Sequence, residues 1–288
     1  MESVNDVCRL CPNDCKIDRR EKTGACRSGE DMRICRIAPH FYEEPCISGT
    51  NGSGTIFFSG CGMDCSFCQN YEISKSDAGK IFSPLSLAEQ MKKLTDMGVH
   101  NINLVTPTHF SDKIREALDL YRPPVPIVYN TSGYEKPEII RDMNSYVDIY
   151  LTDFKYADGE TAKFYSRREN YPEYCIASID EMVKSKPLRY DENGIMRSGV
   201  IVRHLYLPGE RRNTEGVIEI FAKRWKDTAV FSLMSQFFPT HKSPIKRTLK
   251  PVEYKLALNF ILSHGIENCY VQELSSADAE YVPEWDMI

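Results

Sequence analysis

From residue 55 onward the chain alternates short apolar runs with longer stretches of helical period. The runs are TIFFS (55–59), NINLVT (101–106), PIVYN (126–130), VDIYLTD (147–153), GVIVRHLYL (199–207) and AVFSLMS (229–235). Their length and their β-branched and aromatic content predict strands. Between them, residues 86–98, 111–121, 136–144, 161–170 and 213–226 place apolar side chains three and four apart, which predicts helices with one buried face. Ser86 followed by Glu89 reads as a capping box, Gly98 as a helix stop, and Ser111 or Asp112 as the next cap. NINLV and VIVRHLYL are apolar at nearly every position, as strands buried on both faces are. Strand and helix in alternation predict a parallel sheet with helical crossovers, either a partial α/β barrel or a doubly wound sheet. In both, reactive groups belong just past the carboxyl ends of strands.

Residues 1–53 show no comparable period, so the expected division is a cysteine-rich extension over 1–53 and an α/β unit over 54–288. Charge narrows the partners. A net charge of −5 removes the basic field on which nonspecific binding to nucleic acid or anionic membrane depends. No apolar run approaches the roughly 20 residues that span a bilayer, and MESVNDVCRLCPND lacks the basic start and apolar core of a signal peptide. A cytoplasmic protein without nucleic-acid or membrane partners is expected. Thiols there stay reduced, so eleven cysteines point to metal rather than to disulfides. They also cluster: Cys8, Cys11, Cys15, Cys26, Cys35, Cys46, Cys61, Cys65 and Cys68 all precede residue 70.

Cys61, Cys65 and Cys68 follow the first predicted strand on a loop opened by Ser59 and Gly60. Structural zinc takes four ligands, whereas a 4Fe–4S cluster held by three cysteines leaves one iron free for another ligand. The C-x3-C-x2-C spacing, with Phe67 before the last cysteine, resembles the signature of radical S-adenosylmethionine (SAM) enzymes. The resemblance implies a partial (β/α)6 TIM-like barrel and a 4Fe–4S cluster on the three thiolates. It also implies that SAM chelates the free iron and is cleaved to a 5′-deoxyadenosyl radical, which abstracts hydrogen from a substrate. An electron donor such as flavodoxin or ferredoxin is implied as well. CRLCPNDC, EEPCISGTNGSGTIFFSGC, FCQNYEIS, HNINLVTPTHF, IVYNTSGYE, VDIYLTDFKY, VIVRHLYLPG, SLMSQF and VQEL extend the similarity over essentially the whole chain. Together they resemble proteins related to pyruvate formate-lyase activating enzymes. That subfamily suggests a glycine of a partner protein as substrate; a peptide or small molecule is the alternative. A noncatalytic metal-binding scaffold is the reading from another class. No Ser–His–Asp constellation stands out to support ordinary hydrolysis.

The resemblance also points to cosubstrate positions. Where such enzymes carry a Gly-Gly-Glu turn, this chain has TPTH, in which the hydroxyls of Thr106 and Thr108 are the acceptors for an ammonium. Asn130 and Ser132 follow the third strand, Asp153 and Lys155 the fourth. Asp153 and Lys155 share one face of an extended segment, which also allows a plain ion pair. Arg203 suits the methionyl carboxylate, and His204, facing the other way, reads as a satisfied core histidine. Gln236, Gln272 and Glu273 are placed at the mouth, with VPEWDMI and the cysteine-rich start as lids. Cys8, Cys11, Cys15 and Cys26 form a separate set that fits zinc or a second iron–sulfur cluster, with Cys35, His40 and Cys46 as competing ligands.

Overall fold

A computed structural model describes residues 7–276 apart from 77 and 241; VPEWDMI lies outside the described residues. Each predicted strand forms. They are β2 (Ser53–Phe58), β4 (Ile102–Val105), β5 (Ile127–Thr131), β6 (Ile149–Asp153), β8 (Met196–Leu205) and β9 (Val230–Met234), all parallel, with a short β10 (Cys269–Val271) beyond them. The sheet order is β10-β9-β8-β6-β5-β4-β2, continued by β1 (Met32–His40) and β3 (Lys80–Phe82), so the parallel strands run through the sheet in one direction only. A doubly wound sheet reverses its order at a switch point. This one never does, and the partial barrel is the architecture that results.

Right-handed crossovers in a single direction place all the helices on one face. Consecutive helices accordingly lean on each other: α3 (Pro84–Asp96) on α4 (Ser111–Leu120), α4 on α5 (Pro137–Met143), α5 on α7 (Tyr171–Ser185), and α8 (Arg211–Arg224) on α9 (Pro251–Ser263). The helix at Gly159–Ser166, α6, ends at Arg167 in the left-handed region (φ 55°) and is followed at once by α7. Tyr171, Cys175, Ile179 and Met182 of α7 are buried at helical spacing. That period and the one in α9 were not among the predicted helices.

The segment before residue 54 contributes more than an extension. Met32–His40 form β1, antiparallel to β2 on one side and to β3 (Lys80–Phe82) on the other. Its half-buried pattern, interrupted by Arg33, Arg36 and Pro39, hides the alternation that would mark a strand. A four-residue helix, α1 (Pro45–Ser48), then inserts Cys46 and Ile47 among Val128, Ile149, Leu151, Ile201 and Val230. These seven residues fill the bottom of the barrel interior. Two minor elements complete the set, α2 (Tyr71–Ser74) and β7 (Arg189–Tyr190), the latter paired with β8. Among the described residues no helix is long and apolar enough to cross a membrane.

The expected caps are corrected by one turn. Helix α3 begins at Pro84, whose ring fits the first helical position, and its cap is Ser83. Ser83 Oγ accepts from Ser86 N–H at 3.1 Å while Ser86 Oγ accepts from Ser83 N–H at 2.8 Å, a reciprocal box that leaves Glu89 exposed and uninvolved. Gly98 ends the helix as expected, at φ +82°. Neither Ser111 nor Asp112 caps α4: the 3-10 turn Thr108–Phe110 runs directly into it. Ser83→Ala should therefore cost about 1 kcal/mol in chemical denaturation. Glu89→Ala should stay within about 0.5 kcal/mol of the parent.

Candidate active site around the three-cysteine loop

The chain leaves β2 through Ser59 and Gly60 and turns sharply. Gly60 sits at φ +82°, and a Cβ there would lie 2.3 Å from Ser28 Oγ and 2.5 Å from the Cys26 carbonyl, so only glycine fits. Backbone N–H groups anchor the loop that follows: Gly60 donates to the Ile73 carbonyl (2.9 Å), Cys61 to Cys26 (3.1 Å) and Ser66 to Tyr165 (2.8 Å). The buried His109 ring donates through Nε2 to the Ser59 carbonyl at 2.7 Å. Phe67 is buried against the rings of Tyr156, Tyr165 and Phe237. Cys65 and Cys68, on either side of the Ser66–Phe67 pair, line the cleft at the barrel mouth.

Burial pushes the Cys61 thiol up to about 12, with Cys65 and Cys68 adding like-charge repulsion; burial and Cys65 also raise Cys68. Lys155 opposes both shifts. Thiols raised like Cys61 and Cys68 ionise when a cationic group binds them, since a coordinated thiol gives up its proton. The donor set thus fits a 4Fe–4S cluster on Cys61, Cys65 and Cys68.

Beneath the loop the barrel interior is polar. Arg203 of β8 donates from Nε to Asp153 Oδ1 (3.0 Å), from Nη1 to Glu43 Oε2 (3.2 Å) and from Nη2 to Asn130 Oδ1 (2.6 Å). Lys155 Nζ donates to Asp153 Oδ2. Glu43 Oε1 accepts from Asn103 (3.0 Å) and Asn130 (3.3 Å), closing a ring of paired groups. Burial works against the Asp153 charge, but Lys155 and Arg203 hold it below the ordinary carboxylate range. Glu43 and Glu44 go the other way: burial raises both despite Arg203. A cleft of about 230 Å³ opens above, with Cys65, Cys68, Asn130, Asp153, Lys155 and Arg203 in its wall.

Four of the seven residues expected to bind cosubstrate therefore meet: Asn130, Asp153, Lys155 and Arg203. The other three do not line the cleft. Thr108 donates its hydroxyl to Glu135 Oε1 (2.5 Å), and Thr131 donates to the same oxygen. Thr106, at the turn itself, adopts φ +59°, a conformation a β-branched residue rarely accepts. Ser132 presents its carbonyl to Tyr171 Oη at 2.9 Å. His204 is the satisfied core histidine expected: Nδ1 donates to the Phe154 carbonyl (2.8 Å), and Nε2 accepts from Thr214 (3.0 Å). Gln236 lines the cleft, held through its carbonyl by Gln69 and through its side chain by Gln272. Glu273 is exposed; its carbonyl accepts from Ser235 (2.8 Å) and its carboxylate from Ser275 (3.4 Å).

The sequence reading missed Glu43, which lines the cleft, and Glu135, which holds the hydroxyls of Thr108 and Thr131 outside it. Glu43 reaches the interior because β1 crosses beside β2 and its exit loop turns inward. The one visible signal is a pair of acids wedged between FY and PC.

The family model of the radical SAM superfamily matches residues 55–221, more than half of the chain. The chain belongs to the radical SAM superfamily. Membership implies an enzyme that uses SAM and a 4Fe–4S cluster. A Methanocaldococcus jannaschii protein, "Uncharacterized protein MJ0674", is 29% identical over 277 residues, covering 91% of this chain and 76% of that one. Among solved structures, a radical SAM methyltransferase from Sphaerobacter thermophilus aligns with a TM-score of 0.54 at 14% identity, over 78% of this chain and 69% of its own. Streptococcus suis SuiB aligns at 0.53 and 11% identity over 75% of this chain, which spans about half (48%) of SuiB. At such identities the likeness shows the radical SAM fold.

Two expectations follow. Burial raises the Glu135 carboxyl to about 7, against the hydrogen bonds from Thr108 and Thr131. The folded chain then holds a proton that the unfolded chain has released. Stability from this group is complete below the ordinary value of 4.5 and is lost as pH rises through about 7. Glu135→Gln should flatten this slope and stabilise the fold above pH 7 by roughly 1–3 kcal/mol, read from denaturation between pH 5 and 8. Arg203→Ala should cost about 3–5 kcal/mol because it leaves Asp153 and Glu43 uncompensated. Adding Glu43→Gln should return part of that loss in a double-mutant cycle.

Proposed function

We propose that this protein cleaves SAM reductively and abstracts a hydrogen atom from a substrate, with the glycine of a partner polypeptide as the favoured substrate. One observation carries the reading: Cys65 and Cys68 stand in the wall of the same cleft as Asn130, Asp153, Lys155 and Arg203. Cys61, Cys65 and Cys68 would hold the cluster, whose chemistry when bound would be the one-electron reduction that splits SAM to methionine and a 5′-deoxyadenosyl radical. The chain's own groups bind and orient. Arg203 has five N–H donors, of which the ring of Asp153, Glu43 and Asn130 engages three, so the guanidinium keeps donors for a carboxylate. Asn130 and Lys155 add neutral and charged donors, and Glu43, in the cleft wall, offers a carboxyl acceptor for an ammonium.

A glycine methylene in an extended backbone is the slimmest reacting group a polypeptide offers, and the placement of the cleft suits it. The cleft is reached from the strand-end face, where a loop of a partner can enter.

Anaerobic reconstitution should give four iron per chain and a cluster spectrum that changes on adding SAM, and Cys65→Ala should lose both. Dithionite-reduced protein should release 5′-deoxyadenosine. When proteins labelled with α,α-dideuterioglycine are supplied, deuterium should appear in the 5′-deoxyadenosine. Transfer from a labelled small-molecule fraction alone would sink the glycine reading, and an intact cluster in Cys65→Ala would sink the assignment of the loop.

A further inference from the structure

The cysteines that the three-cysteine loop leaves unused gather at one place. Cys8 opens a small hairpin: its N–H donates to the Ile17 carbonyl (2.8 Å), and Lys16 N–H donates back to the Cys8 carbonyl (3.0 Å). That pairing holds Cys8 beside the Cys15–Lys16 peptide. The hairpin turns at Cys11 to Asp14, where Asp14 N–H donates to the Cys11 carbonyl at 3.0 Å. A second turn brings Cys26 to the same spot, closed by Arg27 N–H on the Gly24 carbonyl (2.8 Å). A Cβ on Gly24 would lie 3.4 Å from Cys15 Sγ and 3.5 Å from Cys26 Sγ, so these two sulfurs share one small space. All four thiols are free, with Cys11 and Cys26 buried and Cys8 and Cys15 half-buried.

Two details go beyond proximity. The residues that follow Cys15 and Cys26, Lys16 and Arg27, are both left-handed (φ 53° and 65°), as is Asp14 (φ 42°). Three non-glycine residues in that region within fourteen positions store strain that ordinary loops avoid, and two of them re-aim the backbone just past a cysteine. Donors also point at sulfur: Ala25 N–H at Cys15 Sγ (3.3 Å) and Asn13 Nδ2 at Cys11 Sγ (3.4 Å). Such donors stabilise sulfur as thiolate.

We infer that Cys8, Cys11, Cys15 and Cys26 form a tetrathiolate site for one zinc ion, which fixes the back of the Cys61 loop. Four thiolates complete a closed tetrahedral shell at Zn–S distances of about 2.3 Å, leaving no open position, as structural zinc requires. Among the described residues no three ligand-type side chains already stand at metal-binding separations, in this hairpin or in the Cys61 loop. In both places the thiols close inward on binding by side-chain rotation. Cys35 and Cys46 are excluded as competitors: Cys35 donates to the Ala78 carbonyl within the barrel cluster, and Cys46 belongs to the apolar plug. His40, the other competitor, lines the barrel cleft.

The consequence for the loop is direct. Cys26 offers its carbonyl to Cys61 N–H, Asn13 donates to the Gly62 carbonyl (2.9 Å), and Ser28 donates to the Ser59 carbonyl (3.3 Å). Zinc that sets Cys26 and Cys11 therefore sets the path of the loop as well. The inference goes beyond the proposed function and stands whether or not the loop carries iron.

The test separates the two metals. Cys65→Ala protein, lacking the iron cluster, should contain one zinc per chain by mass spectrometry of the digested protein. Cys8→Ser and Cys15→Ser should reduce zinc to below one-fifth of that. Cobalt(II) added to metal-stripped wild-type protein should give thiolate charge-transfer and tetrahedral d–d bands, a readout that does not depend on any variant folding. Zinc loss should also lower the iron that the reconstituted Cys15→Ser protein retains. Absence of zinc from Cys65→Ala together with an octahedral cobalt spectrum would overturn the inference. Iron beyond four per wild-type chain that Cys15→Ser removes would overturn it equally, by making the site a second cluster.

Discussion

Three thiols that repel one another when ionised must be held within reach of a common centre on one short loop, and most of the surrounding structure serves that constraint. The loop has no regular structure of its own, so its shape is borrowed. β2 launches it, Gly60 bends it against Cys26 and Ser28, His109 grips its first carbonyl, and Phe67 anchors its far side among Tyr156, Tyr165 and Phe237. Arg19 extends the grip, donating to the His109 carbonyl (2.5 Å) and lying over the Phe110 ring. The N-terminal hairpin, the loop and the turn after β4 thus form one interlocked layer across the strand ends. Loops placed this way gain precision from a rigid scaffold that they do not provide themselves.

Inside the barrel, side chains alternate in layers along the strands. An apolar plug of Cys46, Ile47 and five strand residues lies lowest, the charged ring of Glu43, Asp153 and Arg203 lies above it, and Phe57, Val105 and Met234 reach the cleft. Burying that ring is costly, and replacement of such groups by apolar ones often stabilises proteins. Its retention in the middle of an otherwise well-filled interior marks it as serving the cleft. The strained Thr106 makes the same point at the next strand end.

Legibility followed locality. Strands such as NINLV and VIVRHLYL announce themselves because burial on both faces makes nearly every position apolar, and the C-x3-C-x2-C spacing carries its chemistry within eight residues. Asn130, Asp153, Lys155 and Arg203 were expected from the resemblance, and they meet in one cleft because strand ends in parallel sheets converge. Glu43 was not, because its place depends on β1 pairing antiparallel to β2, and nothing in MRICRIAPH alternates cleanly enough to reveal it. Thr108 looked available until Glu135, twenty-seven residues away, claimed its hydroxyl. The cap of α3 slipped by three residues because Ser83 and Ser86 are both good caps, and Pro84 decides between them.

The apolar plug has a kinetic meaning. With its floor sealed by α1, the barrel interior formed by the described residues opens at the strand-end face. Traffic through such an opening is ordered: whatever lies deepest arrives first and departs last. On the proposed function a cosubstrate on Arg203 and Asp153 would settle first, and the substrate above it would act as a stopper that keeps reactive species below from solvent.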